Sequence, residues 1–208
     1  MSIKLVAQDS WRFQLAATQP TTLTFDFTWS NSSTLEAPRS LGSVFRGLQP
    51  AALDCDLAVL LLNAQTKLPT PAAFISFATP ISACKSVRHL SDNLTGTNAA
   101  NKQERLQVCF DTLPTWVESL VFVVSIYEAA KRHQDFSQIQ NACLLVSPVD
   151  HKPWLSLCLP KFETPITYLQ LLKLTRQDNN SWLLQALLEP LPITTLPELL
   201  KIYTPTTT

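Results

Sequence analysis

Polar and apolar residues alternate along much of this chain. Leu23, Phe25, Phe27 and Trp29 fall on one side and Thr22, Thr24, Asp26 and Thr28 on the other, which predicts a strand over residues 23–29 with one face in a core. Residues 53–62, L-D-C-D-L-A-V-L-L-L, are apolar almost without a break after Asp56, as expected of a central strand covered on both faces. Residues 120–127, L-V-F-V-V-S-I-Y, are β-branched and aromatic with no charge and predict a buried strand. Shorter runs at 3–7 and 11–17 suit edge strands, and 73–78 and 105–110 carry further strand patterns. In the last third, 142–147, 154–159, 168–175 and 182–188 repeat the theme, separated by turn clusters such as Pro148-Val149-Asp150. Residues 168–174 alternate only in part, but Asp178-Asn179-Asn180 suits a hairpin turn, so this run is read as a strand. Helical signals are few. Asp135 caps a predicted turn at D-F-S-Q-I, Pro197 starts a short terminal helix over 197–203, and 204–208 should fray. About ten strands with so little helix predict an all-β fold, a two-sheet antiparallel β-sandwich with a short C-terminal helix.

Candidate chemistry gathers in residues 87–108, V-R-H-L-S-D-N-L-T-G-T-N-A-A-N-K-Q-E-R-L-Q-V, read as a loop between two short apolar strands. Asp92, Asn93 and Thr95 bunch oxygen-bearing side chains at its start, Gly96 permits a sharp bend, and Glu104 stands at its far end. A hard cation takes about six to eight such oxygens when it is calcium. Ala99 and Ala100 offer none, and Lys102 brings a positive charge where an ion would sit. Asp54 and Asp56 are two apart, so a strand projects both from one face, where they repel unless something positive lies between them. An ion bridged to Asp92 and Glu104 would meet that need. The alternative is that both are strand-end residues bonded to backbone amides, Arg88 or Lys102. His89, His133 and His151 lie in different segments without H-x-x-x-H spacing or a Ser-Gly elbow, so no catalytic centre is expected. His89 is expected to orient the loop and His133 to lie exposed. A hydrolase using His89 with Asp92 or Glu104 stays open as the alternative.

Composition narrows the partners. The 208 residues fit one domain, 1–208, able to bury roughly 70% of the surface its unfolded chain would expose. Sixteen basic residues balance sixteen acidic ones, so there is no electrostatic footprint for nucleic acid or an anionic membrane. Three Gly leave no glycine-rich phosphate loop, and the polar stretch around 30–49 is read as a variable loop, with Phe45 and Arg46 as its only candidate partner contacts. The five Cys are scattered, with no C-x-x-C pair, and are expected to be free, buried and apolar in role, with no zinc site. The N-terminus lacks a long apolar signal core and no run reaches a membrane-spanning length, so a cytoplasmic, reduced protein without direct membrane insertion is expected.

The segments H-L-S-D-N-L-T-G and E-R-L-Q-V-C-F-D-T-L-P resemble the signature of the tellurite-resistance TerD-like bacterial stress proteins. L-D-C-D-L-A-V-L-L-L upstream, and V-F-V-V-S-I-Y and D-F-S-Q-I-Q-N-A downstream, are similar to that family's other motifs in order and spacing. The resemblance covers a core of about 53–188, leaving 190–208 as a C-terminal extension. It implies a calcium-binding β-sandwich, with Asp54, Asp56, Asp92, Asn93 and Glu104 as the metal set, and a non-enzymatic role beside other tellurite-resistance and stress proteins. A structural subunit of a Ter-type assembly is the alternative. This chain departs where the family carries a Gly-Asp-Gly-Asp-Asp run: it has Asn98-Ala99-Ala100-Asn101-Lys102-Gln103, and Ser91 replaces a Gly. Calcium binding is therefore expected to be weak or absent.

Overall fold

The computed structural model describes residues 2–14, 21–31, 53–90, 102–178 and 181–205. In chain order the strands are β1 (Ile3–Leu5), β2 (Ser10–Gln14), β3 (Thr22–Asn31), β4 (Cys55–Leu62), β5 (Phe74–Ile75), β6 (Val87–Leu90), β7 (Lys102–Cys109), β8 (Ser119–Ile126), β9 (Ile139–Pro148), β10 (Leu155–Cys158), β11 (Tyr168–Gln177) and β12 (Ser181–Pro190). Two helices join them, α1 (Ala129–Arg132) and α2 (Leu196–Tyr203). One sheet runs β1-β10-β9-β3-β7-β6 and the other β2-β12-β11-β8-β4-β5. Among the described residues every pair is antiparallel except β1 with β10, which is parallel, so the expected antiparallel sandwich carries a parallel edge.

Register fixes which side chains meet in the core. Phe25 pairs with Leu106 and Val146, and Phe27 with Leu144, and all five are buried. Phe25 stacks on Phe122 of the other sheet at 4.2 Å between ring centroids, so these rows are the inner faces. At one flank Phe110 packs edge-on against Phe13 and Trp182, and Trp11 meets Trp154 across the sheets. The alternate row of β3 faces outward and is polar. There Asp26 accepts a hydrogen bond from Gln103 at 2.9 Å and an ion pair from Arg105, and Thr24 bonds Ser147. Hydrogen bonding to Asp26 holds the Arg105 guanidinium above its usual pKa.

The terminal helix forms because its first turn satisfies its own amides. Thr195 accepts from the Glu198 N–H and Glu198 reaches back to the Thr195 N–H, with Pro197 in the first turn. Leu199 and Tyr203 are its buried face. The Tyr203 hydroxyl accepts from Gln170 Nε2 of β11 at 2.7 Å, and Leu68 N–H donates to the Tyr203 carbonyl, which fixes α2 against the second sheet.

Several expectations need correction. Among the described residues there are twelve strands, because hairpin partners lengthen or split the apolar runs. The run at 73–78 is a strand only over Phe74–Ile75, since the chain folds back at Ser76 and Thr79. β7 begins at Lys102, not at residue 105, because β3 extends far enough to pair Trp29 with Lys102, while Phe110 leaves the strand for a 3-10 turn. Lys102 is thus a strand residue. Cys143 and Cys158 are bonded in a disulfide, against the expectation of five free thiols. The register sets them directly opposite, a relation that spacing along the chain does not reveal. Cys55, Cys84 and Cys109 are outside the disulfide, and of these only Cys55 is buried. Expectations for 32–49, Phe45 and Arg46 included, for Asn179-Asn180 and for the last three residues fall outside the described residues.

Candidate functional site

Of the expected metal set, Asp92 and Asn93 lie outside the described residues, together with Thr95, Gly96, Asn98, Ala99 and Ala100. Asp54, Asp56 and Glu104 are described, and the structure adds His89 to them. Glu104 is opposite Phe27 in register and His89 opposite Leu106, so both side chains point inward, toward the sheet that contains β4. There His89 Nε2 lies 2.6 Å from Glu104 Oε2, with the two side chains only 3% and 13% exposed. A contact this short between a ring nitrogen and a carboxylate oxygen carries a proton between them. The His89 N–H donates to the Pro80 carbonyl at 2.7 Å, which anchors β6.

The pairing gives His89 a partner that the expectation did not include. It holds the Glu104 carboxylate inside the sandwich, while the loop around Asp92 that it was expected to orient lies outside the described residues. A signal for it does exist in the sequence: Val87 and His89 share one strand face, and Glu104, Leu106 and Val108 share another. An acid and an imidazole on facing apolar rows need each other as partners.

The second component enters from the start of β4. Trp29 Nε1 donates to the Leu53 carbonyl at 3.3 Å, and Tyr127 N–H donates to the Asp54 carbonyl, which pins the chain just before the strand. Asp56 then stands opposite Ser125, and Ser125 opposite Tyr168. Burial pushes the Asp56 carboxyl up to about 7, and the carboxylates of Glu104 and Asp54 push it the same way. His89 and Arg132 pull it back. Arg132, at the end of α1, sits over the Tyr127 ring at 4.8 Å and 3.6 Å from Glu128, so its charge is shared. Burial also raises the Tyr168 phenol, with Asp56 and Glu198 adding to the effect.

As calcium ligands these groups fit only in part. They are oxygen donors of the right hardness, and three carboxylates that feel one another favour a cation between them. Against this, one Glu104 oxygen is taken by His89, and an ion at Asp56 has to displace a proton near neutral pH. Among the described residues no three of His, Cys, Asp or Glu converge closely enough to hold an ion. The described residues do not form a calcium cage as they stand. As acid–base chemistry the His89–Glu104 pair is a buried, mutually satisfied couple. His133, by contrast, is exposed, as expected.

The TerD domain model matches residues 1–202. Stress response protein SCP2 of Bacillus subtilis (strain 168) is 40% identical over 94 residues, 45% of this chain and 46% of that protein. Tellurium resistance protein TerD of Alcaligenes sp is 35% identical over 102 residues, 49% of this chain and 53% of that protein. The chain thus spans about half the length of these relatives. The crystal structure of a homologue of telluride resistance protein (TerD) from Streptomyces coelicolor A3(2) superposes with a TM-score of 0.63 at 13% identity, covering 90% of this chain and 100% of that one, which bears out the sandwich fold. With a family match that runs through both sheets and most of α2, this chain belongs to the TerD domain family.

Proposed function

We propose that this chain is a non-enzymatic stress-response or tellurite-resistance protein of the cytoplasm. It works as a binding or scaffolding module beside other stress proteins, with the family's calcium binding weakened or lost. Family membership and the stress-response and tellurium-resistance names of its relatives support the role. The observation that carries the calcium part is the His89–Glu104 contact, in which an oxygen of an inward carboxylate is engaged by a side chain of the protein itself. The Asn98-Ala99-Ala100-Asn101 segment, where the resemblance implies acids, points the same way. A module of this kind presents a stiff β-framework, and its specificity lies in the surface that its partner touches.

Calorimetric titration of the chelator-treated protein with calcium tests the reading. The expected dissociation constant is no tighter than about 10⁻⁴ M, the range of weak calcium modules. Micromolar affinity, with a matching rise in melting temperature, overturns the loss of calcium binding. The scaffolding part is checked by light scattering of mixtures with other TerD-family proteins. A defined complex is expected, and no change in mass at micromolar concentrations counts against it.

A further inference from the structure

We propose that the Cys143–Cys158 bond is a thiol-reactive latch that pins the β1–β10 arm to the sandwich and releases it on reduction. Leu155 pairs with Val146 and Leu157 with Leu144, all buried, so the alternate pair Cys158 and Cys143 faces outward from the first sheet. Cys158 is exposed and Cys143 half-buried, which leaves a sulfur open to small thiols. The arm that this bond secures is slight. β10 has four residues and is the strand on which three-residue β1 rests, in the one parallel pair among the described residues. Of β1 only Leu5 is buried, while Ile3 and the following Val6 are exposed. At its other end the arm is held by Trp154, just before β10, against Trp11 of the opposite sheet. The arm is therefore fixed by the β9 ladder, by buried Leu5, Leu155 and Leu157, by the aromatic contact at Trp154 and by the covalent tie at Cys158, and of these only the last responds to redox conditions.

The chemistry is thiol–disulfide exchange. The thiolate of a small thiol such as glutathione attacks Cys158 Sγ, the S–S bond breaks, and Cys143 leaves as a thiolate. A second small thiol attacks the mixed disulfide, forms the small-molecule disulfide and frees Cys158. The two electrons that reduce the protein come from the two small thiols, and oxidised glutathione reverses the step. The biological use of the latch rests on the cytoplasmic placement proposed above, where disulfides in most organisms are transient or redox-sensing.

The test uses the full chain equilibrated with reduced or oxidised glutathione. After denaturation and alkylation, mass spectrometry should count three modified cysteines in the oxidised protein, those outside the disulfide, and all five of the sequence in the reduced one. Hydrogen exchange should be at least about tenfold faster over residues 2–8 and 154–158 in the reduced protein, as for local opening, with β8 and β11 unchanged. The double variant Cys143→Ser, Cys158→Ser should exchange like the reduced protein in both buffers. Five modified cysteines after oxidised glutathione, equal exchange in the two states, or loss of protection throughout the molecule on reduction would each overturn the latch. Thiol trapping in growing cells tests the placement separately. A permanently oxidised pair there argues against the cytoplasm and leaves the exchange results standing.

Discussion

Asp56 holds a carboxyl group where burial opposes ionisation and where Glu104 and Asp54 add to the opposition, so it titrates at about 7 in place of 3.8. In the unfolded chain the group ionises at its ordinary value. Between about pH 4 and pH 7 the fold therefore binds a proton that the unfolded chain has released. The stability linked to this group is fully present below 3.8 and is lost as pH rises to about 7. Asp56→Asn removes the penalty. In chelator at pH 7.5 the variant should gain roughly 1–3 kcal/mol in urea denaturation, a figure reduced from about 1.4 kcal/mol per pKa unit because Asp56 is partly exposed. At pH 4 the gain should vanish. A variant less stable than the parent at pH 7.5 in chelator would show that the Asp56 charge is compensated. The same residue marks how far a sequence reading reaches. The repulsion of Asp54 and Asp56 on one strand face was legible from their spacing. The answer to it was not, because Arg132 and His89 come from segments that only the folded chain brings near.

At the level of elements, α2 is held by side chains that the sequence displays in full: Thr195, Pro197 and Glu198 are the signature of a helix start. Thr195→Ala deletes the oxygen that accepts the Glu198 N–H and should lower stability by about 1 kcal/mol in chemical denaturation. The variant should also speed exchange at Leu199 and Tyr203. No change in either would mean that Tyr203 and its bond to Gln170 hold the helix without the cap. The strands were legible where they lie inside a sheet and their own side chains carry the pattern, as in β3, β4, β8 and the β11–β12 hairpin. They were misread where a partner set the limits. β7 starts early because β3 offers it Trp29, and β5 is short because Ser76 turns the chain back. The disulfide was invisible for the same reason. Cys143 and Cys158 face each other only because β9 and β10 pair with Leu157 opposite Leu144.

Over the whole molecule, two sheets of six strands share one buried core, and the stack of Phe25 on Phe122 lies between them. Neither sheet can keep its inner row dry alone, because the apolar face of each is covered by the other. Truncating the stack should therefore weaken both sheets together. Phe122→Ala removes a fully buried ring from β8, and substitutions of this kind cost about 3–5 kcal/mol, cavity included. Urea unfolding followed by tryptophan fluorescence and by far-ultraviolet circular dichroism should shift to lower midpoint as a single coincident transition, since Trp29 reports on the first sheet and Trp182 on the second. If the two signals separated in the variant, the sheets would be cooperative units of their own. If the midpoint did not move, the core would be able to close around the lost ring. With one coincident, destabilised transition, the end of the sandwich that carries His89, Glu104 and Asp56 draws its rigidity from the cross-sheet core.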